Sequence, residues 1–238
     1  MHWSKWKDDI DRAIAKVCIQ IIKEPLSYFS EADIQQLLVE ELSKIEAISK
    51  PYPTSVQKGK GSKSTYRTPL VHREYGGGDG RRIDVVVMDP DDVRKIDTVN
   101  LTIGKQYLRP AYAFELGTEK TSDTFAHLQS DLSKLSERTK EKGTGYLIHF
   151  YKDVTQARTG TITRNKTEAK IHKKFKQVFN EKQTQGNMKV KILAILLRTY
   201  RSQEKMRGKC EIFNGQEWVK TNVSRDAALR SAILKQVA

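Results

Sequence analysis

The sequence predicts an α/β fold, a mixed central β-sheet flanked by helices. Three observations carry that expectation. Short strand-like runs alternate along the chain with amphipathic helical stretches, an order that lays helices against the faces of a sheet. Two of those runs, 68–75 and 81–88, sit either side of the turn GGGDG (76–80) and spell a hairpin. The most apolar run in the chain, KVKILAILLRTY (189–200), reads as a buried central strand.

The elements follow in order. Trp6, Ile10, Ile14, Val17 and Ile21 recur at spacings of three and four, which predicts a helix over 5–22 that Pro25 stops. Ser30 and Asp33 form a capping-box-like pair ahead of IQQLLVEELSKI, the second helix. KPYPTSVQKGKGSKSTYR (50–67) has the Gly, Ser, Pro and Lys content of a mobile loop. After the hairpin, DPDD turns the chain and AYAFELG (111–117) is the next strand. A helix over 124–140 carries Phe125, Leu128, Leu132 and Leu135 on one stripe, and GYLIHFY (145–151) is a fourth strand. A strongly basic helix over 165–182 contains KIHKKFK and precedes the central strand. GKCEIFNGQEWVKTN forms a small hairpin around Asn214-Gly215, and a short helix covers 224–236. There is no internal repeat. One domain over 1–238 is expected, with a core at about 30–150 and a basic C-terminal extension at about 151–238.

Charge narrows the choice of partner. Lys and Arg number 43 against 29 Asp and Glu, a net charge of +14. A chain this basic favours a polyanion, because each phosphate neutralised releases condensed counterions. Nucleic acid is the first candidate and an anionic membrane surface the second. No stretch approaches the ~18 apolar residues that span a bilayer, and MHWSKWKDDIDRA has no apolar segment of the signal-peptide kind. Cys18 and Cys210 lie far apart and match no metal spacing, as buried thiols of a reducing cytosol do. The expected location is cytoplasmic, with no membrane partner.

Three carboxylates stand out. Asp84 lies inside RIDVVV, where alternation puts it on one face with Val86 and Met88. Glu115 lies likewise in YAFEL, sharing a face with Ala113 and Gly117. An acid among apolar strand residues is costly unless it is paired or holds a metal. Glu41 falls within about 20–30° of the centre of its helix's apolar stripe and so points toward the sheet. It is read either as the partner of a buried arginine such as Arg82 or as part of a metal site. Two acids on neighbouring strands with a third on a covering helix suit a hard cation such as Mg²⁺, which takes oxygen ligands.

Helical Glu41, the hairpin with RRIDVVV, the strand YAFEL and the helix carrying DLSKL (131–135) before GYLIHFY together resemble the PD-(D/E)XK nuclease superfamily. The resemblance covers residues 30–150 or so, and rests on the ordered set of elements because the motif itself is short. It implies a restriction-endonuclease-like core and Mg²⁺-dependent cleavage of DNA by an endonuclease of restriction, repair or mobile-element type in a prokaryotic or phage setting, with Mn²⁺ able to substitute. Asp84 matches the family's metal-binding aspartate, Glu115 its second metal ligand and Glu41 the acid on the first core helix. The family's lysine position, two residues after the second acid, holds Gly117. Lys120, three residues on, takes that role if the strand ends at Gly117 and leaves space beside Glu115; Arg82 is the other cation to hand.

For DNA contact the candidates are Lys58, Lys60, Lys63 and Arg67 in the 57–67 stretch, Arg82, Arg164, and Lys170, Lys173 and Lys174 on the basic helix. Solvation of the same charges is the plain alternative. His72 and His149 read as structural strand residues. Relatives often act as dimers, so a homodimer is expected by analogy. The rival functions are a non-cutting DNA-binding module on the same scaffold and a basic RNA-binding protein whose acids are structural.

Overall fold

The computed structural model describes residues 3–24, 27–28, 30–58, 62–76, 81–94, 108–120, 126–153, 169–178, 180, 190–201, 206–213, 217–221 and 226–237. Of 54–58, 62–66, 119–120, 126, 152–153, 196–201, 206–209 and 226 it describes the backbone alone.

A 3-10 turn at Trp3–Trp6 leads into α1 (Lys7–Lys23), whose buried face is the predicted stripe of Ile10, Ile14, Val17 and Ile21. Helix α2 (Glu31–Ser43) begins with the predicted capping box: the Asp33 amide donates to the Ser30 hydroxyl, and the Ser30 amide donates to the Asp33 carboxylate at 2.8 Å. Such a cap contributes about 1 kcal/mol by satisfying amides the helix leaves open. A short α3 (Glu46–Ser49) follows.

The 50–67 stretch is not a loop. It forms β1 (Tyr52–Lys58) and β2 (Ser62–Thr68), a separate antiparallel hairpin with Lys58 opposite Ser62. Its composition hides it, because Thr54, Val56, Thr65 and Tyr66 favour extended backbone but alternate with no apolar series. The Arg94 guanidinium, on α4 (Pro90–Arg94), lies 4.8 Å from the centre of the Tyr52 ring and ties the hairpin down.

The central sheet has seven strands in chain order: β3 (Val71–Gly76), β4 (Arg82–Val87), β5 (Tyr112–Lys120), β6 (Thr144–Asp153), β7 (Val190–Arg201), β8 (Met206–Phe213) and β9 (Trp218–Thr221). Strands β5, β6 and β7 run parallel and the outer pairs antiparallel, so the sheet is mixed. Helix α5 (Ala126–Arg138) makes the crossover from β5 to β6, and α6, residues 169–178, lies between β6 and β7 in sequence. The chain's last described helix is α7 (Asp226–Val237).

Helices cover both faces. On one, Tyr112 donates its hydroxyl to the Trp3 carbonyl at 3.1 Å and Tyr146 donates to buried Asp11 at 2.7 Å, fastening the 3-10 turn to β5 and α1 to β6. On the other, Leu128 and Leu135 of α5 are buried, and Phe175 of α6 meets Tyr151 edge-on at 5.1 Å. Cys18 and Cys210 are buried free thiols. Among the described residues no helix is long and apolar enough to cross a membrane.

Candidate functional site

The register of β4 with β5 sets Val85 against Phe114 and Val86 against Ala113. Continued one step, it brings Asp84 and Glu115 side by side on the face that α5 covers. Asp84 is 8% exposed and its carboxylate accepts from the Leu116 amide at 2.7 Å; Glu115 is 1% exposed. Beside them the β3–β4 ladder passes over Glu74, whose φ of 49° is left-handed, a strained conformation for a residue with a side chain.

Helix α5 brings the counter-charge. Lys134 Nζ lies 2.7 Å from Glu115 Oε2 and 2.9 Å from Asp131 Oδ1, and donates to the Arg82 carbonyl at 3.3 Å. Asp131 Oδ2 is 3.5 Å from His149 Nε2 on β6. Oε1 of Glu115 is buried with no hydrogen-bond partner. A carboxyl oxygen without a partner is expensive in a protein interior, and most so when ionised; an oxygen-seeking cation is one group that satisfies it.

The electrostatics follow from this burial. Burial pushes the Glu115 carboxyl up to about 9, helped by Asp84 and Asp131 and opposed by Lys134. Burial likewise pushes Asp84 up to about 7 against the opposing Leu116 amide, with Glu31 adding repulsion. For Asp131 burial also works upward, but the nearby His149 imidazole and Lys134 ammonium outweigh it and the carboxyl is held below its ordinary value. Lys134 is raised, since Glu115 and Asp131 together exceed the cost of its burial. Two neighbouring carboxyls raised beside one lowered carboxyl and a firmly charged lysine are a polarised site rather than a set of mutually cancelling ion pairs.

Some expectations land elsewhere. Glu41 is buried, but it is paired with Lys44 and lies 3.6 Å from Lys16 of α1, so its partners are lysines rather than Arg82. The α2 acid whose field reaches Asp84 is Glu31, at the first turn, ten residues earlier and about 15 Å along the helix axis. Strand β5 does not end at Gly117 but runs on to Lys120, so the early strand end that the Lys120 reading needs is absent; the Lys120 side chain lies outside the described residues. Nor is the space beside Gly117 open. Gly117 pairs with His149, and a Cβ on Gly117 would stand 2.7 Å from the imidazole.

Among the basic candidates, Arg67 and Arg82 are exposed, the Arg82 chain lying across Gly76. Lys170, Lys173 and Lys174 are exposed on α6, whose other side buries Ile171, Phe175 and Val178. Lys58 and Lys63 fall on β1 and β2 with side chains outside the described residues, as are Lys60 and Arg164 altogether. His72 lies opposite Val86 in the ladder, its ring centre 6.0 Å from that of Tyr75.

Asp131, Lys134 and His149 are the residues a linear reading passes over. The signal for the first two is an acid and a base three apart in DLSKL, flanking the Leu128–Leu132–Leu135 stripe. Among the described residues no three His, Cys, Asp or Glu side chains converge as a ready-made cation cage. Comparison with models of known families, with curated proteins and with solved structures finds no match to this chain.

Proposed function

We propose that this protein is a Mg²⁺-dependent endodeoxyribonuclease on a restriction-endonuclease-like core, hydrolysing DNA phosphodiester bonds in a restriction-type or DNA-processing role. The observation that carries the reading is the partnerless buried Oε1 of Glu115, set beside Asp84 with the Lys134 ammonium on the opposite carboxylate oxygen. Asp84 and Glu115 supply the oxygens that hold the cation, and Mg²⁺ dispenses with a full protein cage because water and substrate phosphate complete its shell. When bound, the cation lowers the pKa of a water and offsets charge on the leaving oxygen.

The residues divide the remaining work. Lys134 orients Glu115 and opposes the rise that burial gives its carboxyl, and its charge stands where the attacked phosphate gains negative charge, the part expected of Lys120 or Arg82. Asp131 holds Lys134 in place. Asp84, Asp131 and Lys134 keep some exposure and form the side from which a phosphate arrives. Exposed Lys170, Lys173 and Lys174, with Arg67 and Arg82, supply the non-specific attraction to the DNA backbone. Cutting both strands takes two sites, so a homodimer is the working assembly on duplex DNA.

Incubation with supercoiled plasmid and short duplexes, in Mg²⁺, Mn²⁺ or EDTA, tests the reading. Nicking or linearisation with either cation and none with EDTA is expected. No cleavage of duplex, branched or single-stranded DNA, even with Mn²⁺, would leave a DNA-binding module in its place.

A further inference from the structure

We propose that His149 is a positioning residue that fixes the Lys134 ammonium through Asp131, and that Gly117 is glycine to make room for it. The inference rests on the nuclease reading for its catalytic consequence, though not for its geometry. The imidazole is 1% exposed and fills the volume into which a side chain at position 117 would project, 2.7 Å from where its Cβ would be. From there Nε2 reaches to 3.5 Å from Asp131 Oδ2. The other oxygen of Asp131 lies 2.9 Å from Lys134 Nζ, which lies 2.7 Å from Glu115. The line His149, Asp131, Lys134, Glu115 thus runs from β6 through two residues of α5 back to β5.

Each link constrains the next. A carboxylate on a helix turns freely about two torsions unless a second partner holds it, and the His149 ring, at ion-pair distance rather than hydrogen-bonded, is that partner for Asp131. An ammonium on a four-carbon stem has more freedom still, so a fixed Asp131 decides where it rests. A side chain at 117 and a ring at 149 exclude each other: the cation is carried by the strand or by the helix, and this chain carries it on the helix.

Three substitutions separate positioning from packing. His149→Leu and His149→Phe keep an apolar filler and remove the ring nitrogens, whereas His149→Gln keeps an N–H donor. Labelling of Lys134 by a lysine-selective acylating reagent, read by mass spectrometry on protein of confirmed fold, is expected to rise several-fold in the Leu and Phe variants and to stay near wild type in the Gln variant. Gly117→Ala, which presses a methyl group into the ring, raises it with His149 unchanged. In cleavage, kcat falls about 10–100-fold for Leu and Phe with KM for DNA unchanged, the usual cost of a group that orients a site from behind. Wild-type labelling in the Leu or Phe variant, whichever folds, overturns the proposal, as does a Gln variant as reactive as either. A wild type that never cuts DNA but gives this labelling pattern retires the nuclease reading and leaves the positioning line standing.

Discussion

A buried carboxylate raised well above its ordinary pKa affects stability as well as chemistry. Asp84, raised from 3.8 to about 7, and Glu115, raised from 4.5 to about 9, hold protons in the folded chain that the unfolded chain has already released. Between about pH 4 and pH 9 the folded state binds more protons at these two carboxyls, so without divalent cation their contribution to stability falls as the pH rises, against a smaller opposite contribution from His72, which burial lowers. Asp131, shifted down, contributes stability that is complete above its ordinary 3.8 and constant across that window. Melting temperatures in EDTA are expected to decline from pH 5 to pH 9, and Asp84→Asn and Glu115→Gln to flatten the decline and melt higher than wild type at pH 9. Added Mn²⁺ raises the wild-type melting temperature at high pH and leaves the two variants unmoved. A wild-type profile that climbs across this range contradicts the assignment of the two buried acids.

At the scale of the element, α5 and α6 take separate parts. Helix α5 delivers the charge: Lys134→Ala is expected to cut the cleavage rate ~10²–10³-fold, the typical loss for one electrostatic group at a developing charge. Unaltered rates in that variant return the role to Lys120 or Arg82. On the proposed function, helix α6 supplies affinity for DNA. Phe175 and Ile171 anchor it, leaving its lysines outward. Replacing Lys170, Lys173 and Lys174 by Ala should lower the slope of log affinity against log salt by roughly one unit for each phosphate no longer neutralised; an unchanged slope marks the face as solvated only. Most elements are legible in the sequence, because apolar periodicity and caps are local signals. The β1–β2 hairpin is not, since Ser, Lys and Gly mask its strand-forming residues. Asp84 and Glu115 are legible because an acid inside an apolar strand is conspicuous. Lys134 and His149 are hidden because only the register of β5 with β6, and the lie of α5 across them, reveals that an ordinary helix lysine and strand histidine converge on Asp131 beside Glu115. Glu41 shows the converse. Its place in the apolar stripe correctly indicates burial, yet the stripe does not say which end of α2 meets the acids.

In the whole molecule, a single seven-stranded sheet runs from β3 to β9, so the strands that hold the acids and those beside the basic helix belong to one framework. The chain carries a net +14 while the residues of the site are mostly acidic, the balance that the proposed function, a polyanion held through a bound cation, calls for. The most direct test of the central claim is cleavage by wild type, Asp84→Asn and Glu115→Gln in Mn²⁺, with DNA affinity measured on the same preparations. Expected are a wild type that cuts, two folded variants that do not, and DNA affinity in both variants equal to or above that of wild type. Wild-type cleavage rates in either variant, with its fold confirmed by circular dichroism, would contradict it.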